Sequence, residues 1–185
     1  EKTKKTLIIC PAGVIDNWIN EINKHTTLHK IKYVKYHGQN RREKKWNTSQ
    51  VVYITSYSVI AKEFDEIEFH KDSLFEKIKF DRIILDEAHY IRNPYTHASS
   101  KSILHLSNVQ RISIKRWIVT ATPIFNTQND AFNYFRFVKL QGIDTKSDWT
   151  NEITNQINGL RKLNTWMKKY SIALKKEDVF KELKS

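Results

Sequence analysis

Two adjacent carboxylates, Asp86 and Glu87, followed by Ala88 and His89, close an apolar run in the stretch FDRIILDEAHYIRN, Phe80–Asn93. One acid of such a pair can orient a hydrated metal ion while the other positions or activates an attacking water. That division of labour suits a magnesium–nucleotide site. The element that must hold the pair is legible just before it. Ile83, Ile84 and Leu85 are consecutive apolar residues, which predicts a strand over Phe80–Asp86 buried on both faces. In an open parallel sheet, ligands bind just past the carboxyl ends of the strands. A motif of four residues matches ordinary acidic turns too, so the flanking segments have to decide.

Thr6–Cys10 (TLIIC) predicts a second buried strand, broken by Pro11-Ala12-Gly13. Val14, Trp18, Ile19 and Ile22 then recur at helical spacing with polar residues between them. Strand, tight turn and helix form one α/β unit, whose turn falls on the same sheet edge as Asp86. Ile31–Tyr36 alternates apolar and basic residues, a one-sided strand ended by His37-Gly38. Gln39–Asn47 carries Arg41, Arg42, Lys44 and Lys45 and reads either as a solvated helix face or as a phosphate-contacting patch. Val51–Ile54 predicts a strand leading into Thr55-Ser56-Tyr57, with a helix over Ser58–Phe64 and a charged connection over Asp65–Lys79. Ala98–Leu106 predicts a short helix. Arg116–Thr120 predicts another buried strand, ending in Ala121-Thr122-Pro123. Phe132, Phe135 and Val138 form a helical stripe within Gln128–Leu140 that suits a core better than a binding platform.

Repeated strand–turn–helix units with short loops specify an α/β fold, a parallel sheet with helices on both faces. Residues 1–142 read as this lobe and residues 143–185 as a helical extension, in which Trp149, Ile153, Ile157 and Leu160 have helical spacing.

Composition narrows the partners. A net charge of +12 favours a polyanion, and nucleic acid comes before membrane because no basic amphipathic helix stands out. Hydrophobic residues at 39%, with 5 Trp, 8 Tyr and 9 Phe, supply a core and argue against disorder. The single cysteine, Cys10, excludes an internal disulfide framework or a cysteine-based zinc site. It reads as a packed thiol and suits a reducing compartment, cytosol or nucleus. No apolar run approaches the ~18 residues of a membrane-spanning helix. His25, His29 and His37 show no metal-ligand spacing and read as surface or packing residues. The chain begins at Glu1 without an initiating Met and reads as a piece of something longer.

Taken together, TLIICPAGVIDNW, YHG at Tyr36–Gly38, ITSY at Ile54–Tyr57, RIILDEAHYIRNP and RWIVTATPIFN at Arg116–Asn126 resemble, in order, five blocks of the first motor lobe of the Swi/Snf-type ATPases of helicase superfamily two. Within that family they are most similar to the branch of Lodestar and the helicase-like transcription factor. The resemblance implies a RecA-like three-layer lobe, part of a nuclear, DNA-dependent ATPase that uses ATP and magnesium. It implies that Asp86 holds the metal through water and that Glu87 orients the hydrolytic water. His89, Thr120 and Thr122 would couple the nucleotide state to lobe closure. Pro11, Ala12, Gly13, Thr55, Ser56 and Tyr57 would contact one strand of double-stranded DNA through its phosphates, which fits binding that ignores sequence. A second motor lobe and chromatin or transcription proteins are the further partners it implies.

Two positions depart from the pattern. The coupling block usually reads Gly-Thr-Pro-Ile-Gln-Asn, whereas Ala121 and Phe125 stand here for the Gly and the Gln. No Gly-x-x-x-x-Gly-Lys-Ser/Thr phosphate loop occurs in these residues, so the fragment alone is expected to bind ATP weakly and not to hydrolyse it. Two other readings remain open: an RNA helicase of the DEAH or DEAD type, which Ala121 favours slightly, and a non-catalytic lobe that holds DNA or protein by its basic face.

Overall fold

The computed structural model describes residues 4–26, 31–42, 51–65, 75, 78–92, 102–106, 114–122 and 127–172. Contacts divide the chain into two compact units, Glu1–Asp144 and Thr145–Ser185.

The first unit is built on five strands: β1 (Thr6–Cys10), β2 (Tyr33–Lys35), β3 (Val52–Ser56), β4 (Arg82–Asp86) and β5 (Lys115–Val119). All pair in parallel, in the order β2-β3-β1-β4-β5. Helix α1 (Ile15–His25) follows β1 through a 3-10 turn at Ala12–Val14, and α2 (Tyr57–Asp65) follows β3 with no loop at all. Thr55 and Ser56, expected to lead out of the strand, belong to it and pair with Ile9 and Cys10.

Side-chain alternation divides the sheet residues between two layers. Ile8, Cys10 and Ile54 pack with Ile15 on one face, where Val14, Trp18, Ile19 and Ile22 of the turn and α1 close over them. On the other face Leu7, Ile9, Tyr53, Ile83 and Leu85 are fully buried. There the Tyr53 ring meets Phe80 edge-on at 5.4 Å. Burying apolar strands on both sides is what makes TLIIC and RIIL near-continuous hydrophobic runs.

β5 departs from expectation. It was to be buried, yet none of its five residues is, and Trp117 and Val119 are 51% and 47% exposed. A hydrophobic run reads the same at the centre and at the edge of a sheet. What differs is a neighbour on the outer side, and among the described residues no strand pairs there.

The basic stretch after Gly38 also resolves differently from either reading. Gly38 takes φ 90°, a conformation that suits glycine, and the following turn sends Arg41 and Arg42 inward. Both guanidinium groups meet Glu63 Oε1 of α2, Arg41 at 2.9 Å and Arg42 at 3.1 Å. Lys44 and Lys45 lie outside the described residues.

The stripe at 128–140 begins as a 3-10 turn, Gln128–Ala131, and becomes α3 (Phe132–Phe137). It stops at Lys139, whose φ of 60° is left-handed. Phe132 and Phe135 are buried as expected, and so is Asn133, which donates to the Ile91 carbonyl at 2.6 Å.

The second unit contains α4 (Lys146–Trp149), a π-helical turn at Thr150–Thr154, and α5 (Gly159–Tyr170). Thr145 and Asp148 cap α4 reciprocally, the Asp148 carboxylate accepting from Thr145 N–H at 2.7 Å. Trp149 and Ile153 are buried, but Ile157 is 103% exposed and Leu160 63%. The expected four-residue stripe breaks because the helical path ends at Asn155 and restarts at Gly159 in a new phase. The restart needs a glycine: a Cβ at position 159 would lie 1.8 Å from the Ile153 carbonyl oxygen. Gly→Ala inside a helix usually gains up to ~1 kcal/mol, whereas here the clash is expected to cost about 3 kcal/mol. Urea unfolding of Gly159→Ala checks the sign, and a stabilised variant would contradict this packing.

Candidate functional site

The strand register sets the site. Cys10 is level with Ser56, Ile9 with Leu85, and Asp86 with Val119. The four strands therefore end on one rim, and Pro11, Tyr57, Glu87 and Thr120 are the residues that step off it. Asp86 shares its face with Ile84, two residues earlier, which is the face that α1 covers. That parity aims its carboxylate at Trp18, whose indole N–H donates to Asp86 Oδ2 at 2.8 Å. Asp86 Oδ1 accepts from the Glu87 amide at 3.0 Å, and the Asp86 carbonyl accepts from the Tyr57 hydroxyl at 2.8 Å.

Glu87 is one of two non-glycine residues with positive φ among those described, at φ 52° and ψ 49°. A left-handed glutamate costs roughly 1–2 kcal/mol. The bend lets β4 turn at once into the 3-10 turn Ala88–Ile91, anchored by buried Ala88 and Ile91. The Glu87 side chain stays 44% exposed, with Oε2 3.2 Å from His89 Nδ1. Tyr90 then lies flat on Tyr57, ring centres 4.9 Å apart and planes 9° from parallel. Burial, then the nearby Asp86 charge, pushes the Tyr57 phenol well above its ordinary range, so it remains a donor. The same two causes push the Cys10 thiol up to about 12. Its Sγ lies 3.7 Å from the Thr55 carbonyl, the contact of a packed thiol and not of a nucleophile.

The structure brings Asp86, Glu87 and His89 together. Thr120 and Thr122 stand on the same rim, with Thr120 Oγ1 accepting from the Thr122 amide at 3.2 Å. Among the described residues no hydrogen bond joins them to the acids. Ala121 has no positive φ, so its turn needs no glycine; Phe125 lies outside the described residues. Ala12 and Gly13 are exposed and Pro11 partly so. Thr55, Ser56 and Tyr57 are not presented at the surface: they are 0%, 1% and 2% exposed. Because β3 runs straight into α2, their hydroxyls serve internal bonds. Thr55 donates to the Tyr36 carbonyl at 2.9 Å, Ser56 accepts from the Val59 amide at 3.3 Å, and Tyr57 holds Asp86.

Sequence reasoning placed Trp18 in the core stripe and had no signal for its polar end. A buried indole N–H needs an acceptor, but nothing local names an acceptor 68 residues away.

Among the described residues no cluster of three or more His, Cys, Asp or Glu side chains is placed to hold a metal. Two adjacent carboxylates do not make a closed cage. They fit magnesium, which keeps several waters and takes its other ligands from phosphate oxygens.

The model of the SNF2-related domain family matches residues 1–185. The chain belongs to that family. It is 32% identical over 179 residues to the mouse helicase-like transcription factor, covering 93% of this chain and 17% of that protein. It is 31% identical over 165 residues to transcription termination factor 2 of Drosophila melanogaster, covering 88% of this chain and 14% of the relative. The chain thus spans under a fifth of the length of these curated relatives. A solved SWI2/SNF2 ATPase core of Sulfolobus solfataricus in complex with double-stranded DNA matches with a TM-score of 0.61 and 23% identity, over 84% of this chain and 29% of that one. That likeness establishes the RecA-like parallel-sheet fold. In this SNF2-related domain four of the five strands bring Pro11, Ser56, Asp86 and Thr120 to one rim.

Proposed function

We propose that this SNF2-related domain is part of a DNA-dependent ATPase motor, a translocase that acts on chromatin or in transcription. The observation that carries the proposal is the Asp86–Glu87 pair at the tip of a central parallel strand, on the rim shared by Pro11 and Thr120. ATP is the substrate. Magnesium, when bound, would neutralise the phosphate charge that builds up as the terminal phosphoryl group departs. Asp86 is the residue to hold it through water. Glu87, bent outward and steadied by His89, is the residue to orient the water that attacks. His89, Thr120 and Thr122 sit where a change of nucleotide would be felt by a second lobe. Among the described residues no strand pairs with the outer edge of β5, beside Thr120.

The partner we propose is the phosphate backbone of double-stranded DNA. The +12 charge and the exposed Ala12-Gly13 turn at the head of α1 support it, as does the DNA held by the Sulfolobus relative. Thr55–Tyr57 act as a buried support for that rim. A nuclear location follows from the same reading.

In the intact protein, duplex DNA of any sequence is expected to stimulate ATP hydrolysis. Its affinity should fall steeply with salt, each phosphate contact adding about 0.9 to the slope of log K against log salt. Steady-state ATPase assays with duplex DNA or RNA, and titrations at several salt concentrations, check both expectations. Stimulation by RNA alone, or a flat salt response, would overturn the proposal.

A further inference from the structure

We infer that Trp18 is a positioning residue that sets the direction of the Asp86 carboxylate and ties it to the Pro11–Gly13 turn. The inference rests on the reading of Asp86 as the metal-holding acid and goes beyond it to name what controls that acid. Of the two carboxylate oxygens, Oδ1 is held, among the described residues, by the amide of the next residue, a bond internal to the turn. Oδ2 is held by the Trp18 indole at 2.8 Å, from a different element. The Asp86 backbone is pinned separately, by the Tyr57 hydroxyl on its carbonyl and by the Tyr57–Tyr90 stack over the turn that follows. With the backbone fixed, the side-chain direction is the remaining freedom, and Trp18 removes it. An indole N–H is a donor only. It orients the carboxylate without a counter-charge and leaves lone pairs for the waters of a hydrated metal.

Trp18 cannot move independently of the rim. The Val14 amide closes the 3-10 turn on the Pro11 carbonyl at 2.9 Å, and α1 starts at the next residue, Ile15. Trp18 sits one turn into α1 and packs on Ile8, Cys10, Ile15 and Ile54. A phosphate that engages the exposed Ala12-Gly13 turn would therefore act on the indole through the first turn of α1. The path from nucleic acid to metal-holding acid is one helix and one hydrogen bond.

The test uses the intact protein with 5-fluorotryptophan at position 18 alone. The fluorine resonance is expected to shift when Asp86 is changed to Ala without nucleotide, and to shift again when a short duplex DNA is added. Trp18→Phe keeps a ring in the packing and loses the donor. It is expected to raise the magnesium concentration for half-maximal ATPase by about tenfold, the usual cost of losing an outer-shell partner of a metal ligand, and to lower the stimulation by DNA. A role in packing alone would lower stability and move neither quantity. An unshifted resonance in Asp86→Ala, or an unchanged magnesium requirement in Trp18→Phe, overturns the inference. If Trp18→Phe fails to fold, the fluorine shift in the folded protein decides. Failure of the underlying reading looks different: Asp86→Ala and Glu87→Gln would then retain ATP turnover whatever Trp18 does.

Discussion

Glu87→Gln in the intact protein is expected to lower kcat for ATP hydrolysis by about 10³-fold, within the 10²–10⁴ range of a positioned general base. Nucleotide affinity should change little, because the amide keeps the shape of the side chain and Glu87 is 44% exposed. Single-turnover hydrolysis with DNA present, alongside equilibrium nucleotide binding, separates the two. The backbone sharpens the prediction. Glu87 sits at φ 52°, where glycine is at ease and glutamate is not. Glu87→Gly should therefore be as inactive as Glu87→Gln, yet more stable than the parent by about 1 kcal/mol. If Glu87→Gly lowers stability, the left-handed turn is held by contacts of the carboxylate, and its exposure is not free for chemistry.

The second large effect is structural. Glu63 is 2% exposed, and its Oε1 receives both Arg41, which is mostly buried, and Arg42. Oε2 is buried with no hydrogen-bond partner. Removing one member of a buried ionic group costs about 3–5 kcal/mol because the partners keep their charge without compensation. Glu63→Ala is expected to lose stability on that scale, with the loss centred on α2 and the turn after Gly38. Hydrogen exchange across residues 38–65 of the intact protein should show it locally. Loss spread evenly over the lobe, or none, would mean that the clamp is incidental. Because α2 begins with Tyr57, which holds the Asp86 carbonyl at 2.8 Å, loosening α2 should also depress ATPase, though far less than Glu87→Gln does.

Much of this lobe is local and could be read without coordinates. β1 falls on the residues predicted, Thr6–Cys10, and β3 and β4 within two residues of expectation. Their apolar runs and the breakers that follow are properties of neighbours in the chain. The acid pair is local as well, since Asp86 ends the strand that its own preceding residues specify. Even the shared rim could be anticipated, because parallel strands joined by helices must end on the same side.

What tertiary structure alone decided is every fact that depends on which distant residue lies alongside. Trp18 and Asp86 are 68 positions apart, and Arg41 and Glu63 are 22 apart. Those pairings turned a core tryptophan into a donor to a strand-end carboxylate and Arg41 and Arg42 into a buried clamp. Packing of β3 and the start of α2 buried Thr55, Ser56 and Tyr57, to which the resemblance assigned DNA contact. The want of a described neighbour strand left Trp117 at an edge that its hydrophobicity could not reveal. Periodicity encodes which way a side chain points relative to its own backbone. The partner it then meets is set by how elements far apart in sequence pack, and that information is not held in any one stretch of the chain.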